Sequence, residues 1–307
     1  MRPNKWIFTF YLCANASNAF AQSDTSEFEK HATESRAQYL SGPLPGEDPS
    51  SMPAVDGVNS NLSGGLLGGD NEAIFATGSV TIPIGHSFGL QIDGVAAEVF
   101  TDLYGNIPVY AAAAHAFWRD PSIGLLGLYG DIAYVDFGSR FDLYTAGIEG
   151  ALYLDRFSVN GVAAAQKIND FDEEFFGESN LIYYPMDDFA LHIGQSYMLG
   201  ANSLQYGAEW ALPGQGASAA SLFAQGALHE GGKHTFELGL RMYFGNKEKS
   251  LIRRHREDDP NVIANAPGLV FIPISGDGNY TIVVGNSDDG NTSNKIYPYG
   301  HHALVDN

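Results

Sequence analysis

Residues 235–244 alternate with a period of two. Phe236, Leu238, Leu240, Met242 and Phe244 share one phase, while Glu237, Gly239, Arg241 and Tyr243 share the other. The same rhythm runs through residues 203–212, where Leu204, Tyr206, Ala208, Trp210 and Leu212 oppose Gln205, Gly207, Glu209 and Ala211. It recurs in residues 189–197, 144–154 and 126–134; in the last, Leu126, Leu128, Gly130, Ile132 and Tyr134 oppose Gly127, Tyr129, Asp131 and Ala133. Successive side chains of a strand point to opposite faces, so this alternation predicts strands. Eleven such segments are legible: 73–84, 87–99, 107–118, 123–135, 141–154, 157–167, 176–185, 189–198, 203–212, 217–228 and 234–244. Turn residues separate them, among them Gly85-His86, Arg119 to Ser122, Asp155-Arg156, Asp187-Asp188 and Pro213 to Gly216. Many strands at this spacing predict an all-β barrel or sandwich.

The composition of the two phases decides between them. A soluble exterior carries charges of both signs at roughly a quarter to a third of its positions. Here the polar phase is mostly Gly, Ala, Ser, Thr and Gln, with few charges, and no Lys occupies a mid-strand position. The other phase is Leu, Ile, Phe, Tyr and Trp. Aromatic residues lie near the segment ends: Phe88, Trp118, Tyr134, Tyr144, Phe157, Tyr184, Phe189, Tyr197, Phe236 and Phe244. That pattern predicts an apolar face in lipid, an interfacial aromatic girdle and a crowded polar lumen. No run of 18 apolar residues is present to make a transmembrane helix.

Residues 1–21 contain Arg2 and Lys5, a short apolar core, and Ala19-Phe20-Ala21 before Gln22. They read as a cleaved secretory signal peptide. The single cysteine, Cys13, falls inside it, without the residues of a lipoprotein box. Residues 22–57 are polar and rich in Ser, Glu and Pro, and read as a periplasmic arm or linker. The formal net charge is −20; between residues 37 and 246 there are 24 acids and 6 cations. An acidic balance of this size excludes nucleic acid as a partner.

These features resemble the Gram-negative outer-membrane β-barrels of the porin-like and small-barrel superclass. The resemblance rests on the signal peptide, on the alternating segments across residues 58–244, and on the strand Phe236 to Phe244. It implies an antiparallel up-and-down barrel. Single-chain bacterial barrels have an even strand number, so a twelfth strand is expected in the Gly-rich residues 58–69, with ten strands the alternative. The resemblance also implies that Phe236, Leu238, Leu240, Met242 and Phe244 form the terminal-strand signal read by the barrel assembly machinery. Sixty-three residues follow Phe244, a departure from a chain that ends on this aromatic. Outer-membrane lipid and lipopolysaccharide are the implied surroundings.

The lumen phase then carries Asp93, His115, Asp131, Glu149, His192, Glu209, Glu237 and Arg241. Two readings follow. In one, these residues line a narrow passive pore that favours small polar or cationic solutes. In the other, they satisfy one another inside a non-conducting structural barrel. An enzyme, such as an outer-membrane lipid hydrolase, is a third reading. It lacks a nucleophile elbow, and His192 and Ser196 stand about 13 Å apart along a strand. No cofactor is implied. The acidic residues 168–175 lack the convergent oxygens of a hard-cation site, residues 288–292 resemble a calcium loop only loosely, and His301-His302 is a weak metal site.

After the barrel, Lys247, Lys249, Arg253, Arg254 and Arg256 form the densest cation cluster, offset by Glu248, Glu257, Asp258 and Asp259. They are expected as a charged juxtamembrane spacer near anionic head groups. Residues 269–274 and 280–284 are expected to pair as a hairpin in an otherwise partly ordered tail.

Overall fold

A computed structural model describes residues 52–258, apart from 70–71, 102–104, 137–139, 169–172, 199, 214–218, 231 and 246–248, together with residues 281–285 and 293–297. The expected signal peptide and most of the expected arm lie outside the described residues, as does Lys247.

Twelve strands form one closed antiparallel barrel: β1 (Asn59–Gly69), β2 (Glu72–Ile84), β3 (Phe88–Thr101), β4 (Gly105–Asp120), β5 (Gly124–Asp136) and β6 (Arg140–Leu154), then β7 (Phe157–Ile168), β8 (Glu174–Met186), β9 (Phe189–Met198), β10 (Ala201–Ala211), β11 (Ala219–His229) and β12 (His234–Phe244). Every strand pairs with its sequence neighbours, and β1 pairs with β12 from Ser60↔Phe244 to Gly69↔Thr235. Closure removes both sheet edges.

The strand in the Gly-rich segment is β1. Its outward residues Leu62 and Leu66 are exposed, and Ser63 and Leu67 turn inward and are buried. Its glycines make room for a neighbour: a Cβ at Gly65 would lie 2.7 Å from Phe75 Cζ. The alternation is weak in sequence because an inward aromatic of β2 lies over that glycine.

The two phases separate as the pattern requires. Leu126 and Leu128 of β5 and Ile148 and Leu152 of β6 are 55–64% exposed on the outside. Tyr129, Ala133, Glu149 and Tyr153 on the same strands are buried inside. Tyr184 departs from the expectation of an outer girdle residue. It points inward and is fully buried, while its neighbour Tyr183 faces outward and stacks on Phe157. Two adjacent tyrosines left the phase of this segment ambiguous.

Chain entry at β1 and exit at β12 lie at the same end of the barrel, together with the connections 85–87, 121–123, 155–156, 187–188 and 212–218. This is the turn end. Asp155 takes φ 46° there, as a two-residue hairpin turn demands. At the opposite, loop end, β1, β3, β5, β7, β9 and β11 finish and β2, β4, β6, β8, β10 and β12 begin. A helix, α1 (Leu251–Glu257), follows β12. In the tail, β13 (Thr281–Gly285) pairs with β14 (Ser293–Tyr297). Residues 281–285 thus have a downstream partner; the expected upstream strand, residues 269–274, lies outside the described residues.

Candidate functional site: the barrel interior and its turn-end mouth

Two chain segments from opposite ends of the barrel sequence meet at the turn end. In the first, Ala54 N–H donates to the His86 carbonyl at 2.7 Å. Ala54 and Val55 pack with Phe117, Leu125, Ala151 and Tyr153. Gly89 permits this approach, because a Cβ there would lie 2.8 Å from Val55 Cγ2.

The second segment is α1 with its flanks. Nothing in its own sequence caps it: Ser250 makes no side-chain cap bond and the first turn has no acid. The β8–β9 turn supplies what is missing. Leu251 N–H donates to Asp188 Oδ1 at 3.1 Å, and Ile252 N–H donates to the Asp187 carbonyl at 3.0 Å. These satisfy two of the first-turn donors that every helix leaves open. Burial holds the Asp188 carboxyl above its ordinary pKa, against the lowering effect of the Leu251 bond. Leu251 and Ile252 are fully buried.

The described members of the expected juxtamembrane cluster, Lys249, Arg253, Arg254 and Arg256, lie within or beside the mouth. Lys249 and Arg254 are buried, and Arg256 reaches across the mouth. Lys249 Nζ contacts Asp258 at 2.5 Å, Asp56 at 2.9 Å and Glu257 at 3.2 Å, tying the two segments together. Burial opposes the ammonium, yet these three carboxylates prevail and raise the Lys249 pKa above its ordinary value. Arg256 donates to Ser158 Oγ at 3.1 Å and to the Asp155 and Phe157 carbonyls at 2.7 and 2.8 Å. Arg254 lies over the Tyr243 ring, and Arg253 pairs with Glu257 one helical turn on. The cations were legible; their partners, scattered over residues 56–258, were not.

Arg119 completes the seal. Expected in a turn, it is the penultimate residue of β4 and almost fully buried. Its Nε donates to the Ala54 carbonyl at 2.7 Å, and one Nη donates to the Glu257 and Asp258 carbonyls at 2.9 and 3.0 Å.

Above this seal lie two charged groups on opposite walls. Glu209 of β10 accepts from Ser221 at 2.5 Å, Tyr243 at 2.6 Å and Arg241 at 2.7 Å, and Arg241 also donates to Ser63 at 2.9 Å. The group joins β1, β10, β11 and β12. From α1, His255 Nε2 approaches Glu209 Oε2 at 3.4 Å, while its Nδ1 lies 3.0 Å from the Tyr184 hydroxyl. On the other wall His115 sits between Asp93 at 2.7 Å and Glu149 at 2.9 Å. Gln91 donates to Asp93 at 2.7 Å and accepts from Thr81 at 2.8 Å.

The remaining expected lumen residues also lie on inward positions. Asp131 accepts from Tyr129, and Glu237 accepts from Gln225 at 2.8 Å. His192 lies against Gly207, where a Cβ would come 2.5 Å from its Cε1. Glu178 was missed. It is buried on β8 and accepts from Asn180 at 2.7 Å. Residues on both sides of it mix polar and apolar character, so its phase could be read only by continuing from the neighbouring strands. Among the described residues, the Tyr153 hydroxyl and five carboxylate or amide oxygens, Asp131 Oδ1, Glu149 Oε1, Asn160 Oδ1, Gln166 Oε1 and Asn180 Oδ1, are buried with no hydrogen-bond partner. All five are on β5–β8 and all are acceptors.

Toward the loop end, Leu67, Ala73, Ala97, Val99, Ile107, Val109 and Val135 form a buried apolar cluster. Ser203 Oγ lies 2.7 Å from His229 Nδ1, and Thr235 Oγ1 lies 3.0 Å from His229 Nε2. His192 and Ser196 remain separated along β9, and Ser196 instead accepts from Gln205 at 3.1 Å.

No protein-family model and no curated protein matches the sequence. Solved structures of similar architecture include the KdgM porin in complex with disordered oligogalacturonate (TM-score 0.46, 9% identity, 60% of this chain and 99% of that one). An outer-membrane channel from Pseudomonas putida F1 is similar at TM-score 0.47 and 13% identity, over 64% of this chain and 99% of that one. The translocator domain of the autotransporter NalP from Neisseria meningitidis is similar at TM-score 0.41 and 12% identity, over 73% and 98%. The architecture is a closed, twelve-stranded, all-antiparallel up-and-down β-barrel.

Proposed function

We propose that the chain is a porin-like passive channel in the outer membrane of a Gram-negative bacterium, with an acidic lumen that favours small polar or cationic solutes. The membrane part rests on the outer wall. Large apolar side chains on every strand face outward, and a closed barrel with such a wall leaves no backbone group unpaired in lipid. Both chain ends leave the barrel at the sealed end, and on a chain inserted from the periplasm a polar arm and a charged tail stay on the side of entry, which puts the seal there.

The observation that carries the selectivity is the imbalance of the inner wall. Asp93, Asp131, Glu149, Glu178, Glu209 and Glu237 face inward, against Arg119 and Arg241, the latter already paired with Glu209. Asn160, Gln166 and Asn180 each turn a further unpaired amide oxygen to the same interior. Rings of carboxylates and carbonyls of this kind lower the energy of a cation relative to an anion. The test is the reversal potential of single channels in a planar bilayer under a KCl gradient. Potassium preference is expected, weakened in D131N/E178Q. Equal or chloride-favouring permeability would overturn the assignment.

The second reading, a non-conducting structural barrel, is favoured by the filling of the interior: on β8 and β12 the inward side chains are buried, and the turn end is sealed. Absence of openings from protein with heat-modifiable gel mobility would select it. The lipid-hydrolase reading has as its support only the Ser203–His229 contact, and lipid release by purified protein would promote it.

A further inference from the structure

We propose that residues 249–258 form a releasable plug over the turn-end mouth, seated on residues 53–56, and that its departure opens the lumen. The proposal rests on the channel reading above. The segment crosses the mouth rather than lining it. Its contacts reach Arg119 on β4, Ser158 on β7, the β8–β9 turn, Glu209 on β10 and Tyr243 on β12.

Three features make it a switch element rather than part of the wall. First, the barrel is complete without it, since β1–β12 pairing closes the sheet before residue 245 and no strand ladder includes α1. Secondly, a helix of seven residues has no stability of its own in water, so away from its seat it unfolds, giving an ordered and a disordered state. Thirdly, the seat is imperfectly satisfied. Arg119 Nη1 is buried with no hydrogen-bond partner, and His255 Nε2 reaches its carboxylate, Glu209, only at 3.4 Å. Leu251 and Ile252 are the fully buried apolar residues of the helix, and polar contacts make up the rest of its seat.

The experiment uses the full chain in planar bilayers and in detergent, with barrel integrity checked by heat-modifiable mobility. L251D/I252D places charges where two apolar side chains are buried and leaves every strand unaltered. R119M removes the three carbonyl bonds of the seat by a different route. A reporter, S158C, sits beneath Arg256 and is read by reaction with a membrane-impermeant maleimide. Both variants are expected to raise open probability and S158C labelling by about tenfold or more over the parent chain. A rise in labelling without conductance in any variant would leave the plug releasable and overturn the channel reading. Conductance and labelling in L251D/I252D equal to those of the parent chain would overturn the plug. So would a parent chain that is already steadily open and labelled at the variant rate.

Discussion

Replacing Glu209 by Leu leaves the Arg241 guanidinium buried without its carboxylate. Both side chains are less than 10% exposed, and their contact is 2.7 Å. Breaking a buried pair from one side costs about 3–5 kcal/mol, because the remaining charge is uncompensated. The reverse change, R241M, is milder. Glu209 keeps hydroxyl donors from Ser221 and Tyr243, so the loss is expected at about 2–3 kcal/mol, including the bond to Ser63. In E209L/R241M neither charge remains, and a well-packed apolar replacement of a buried pair is often close to neutral. The double variant is therefore expected within about 2 kcal/mol of the parent, more stable than E209L alone, with a coupling of about 3 kcal/mol or more. The assay is reversible urea unfolding in lipid vesicles, followed by tryptophan fluorescence and gel mobility, across the full double-mutant cycle. Losses that add to within about 0.5 kcal/mol would refute the reasoning, since independent sites behave that way.

Other outcomes follow from the walls and the seal. L128K puts an ammonium on the outer face near the middle of β5 and is expected to cost about 2–4 kcal/mol of folding stability in bilayers, whereas I123K in a turn costs under about 1 kcal/mol; equal costs would place β5 outside the lipid. G89A drives a methyl group into Phe117 and Val55, and a loss of about 1–3 kcal/mol together with faster proteolysis of residues 52–58 is expected. Lys249 has a folded pKa raised by Asp258, Glu257 and Asp56, so its contribution is fully present below the unfolded value of about 10.4 and is lost as pH rises through the raised value. Alkaline titration should therefore speed S158C labelling in the parent chain, and K249M, already lacking the contacts, should show a flatter profile over that window.

Strand order and boundaries were legible because one physical period governs them. Eleven of the strands show it within two residues or so of their ends, and the twelfth follows from parity despite the glycines at 64, 65, 68 and 69. Inward residues were legible for the same reason. Which of them touch was not. The register partner of His115 on β3 is Gln91 and on β5 is Tyr129. Its carboxylates come instead from Asp93, two residues along, and from Glu149, two strands away. Such diagonal contacts depend on barrel curvature and side-chain reach. The plug was hidden for a different reason. Its helix carries charge on most of its surface, with no capping residue, since its partners and its cap are supplied by distant parts of the chain. Local sequence signals describe helices that solvent and a single apolar face define, and this one is enclosed by polar partners.

The position of the plug in the chain has a kinetic consequence. Six residues separate Phe244 from Leu251, so the tether spans at most about 25 Å and a displaced helix stays at the mouth. Its effective concentration there is on the order of millimolar, whatever the abundance of the protein in the membrane. Reclosure is accordingly a first-order event within one molecule. An excised peptide of residues 249–258 added in solution would have to reach comparable concentrations to compete with it.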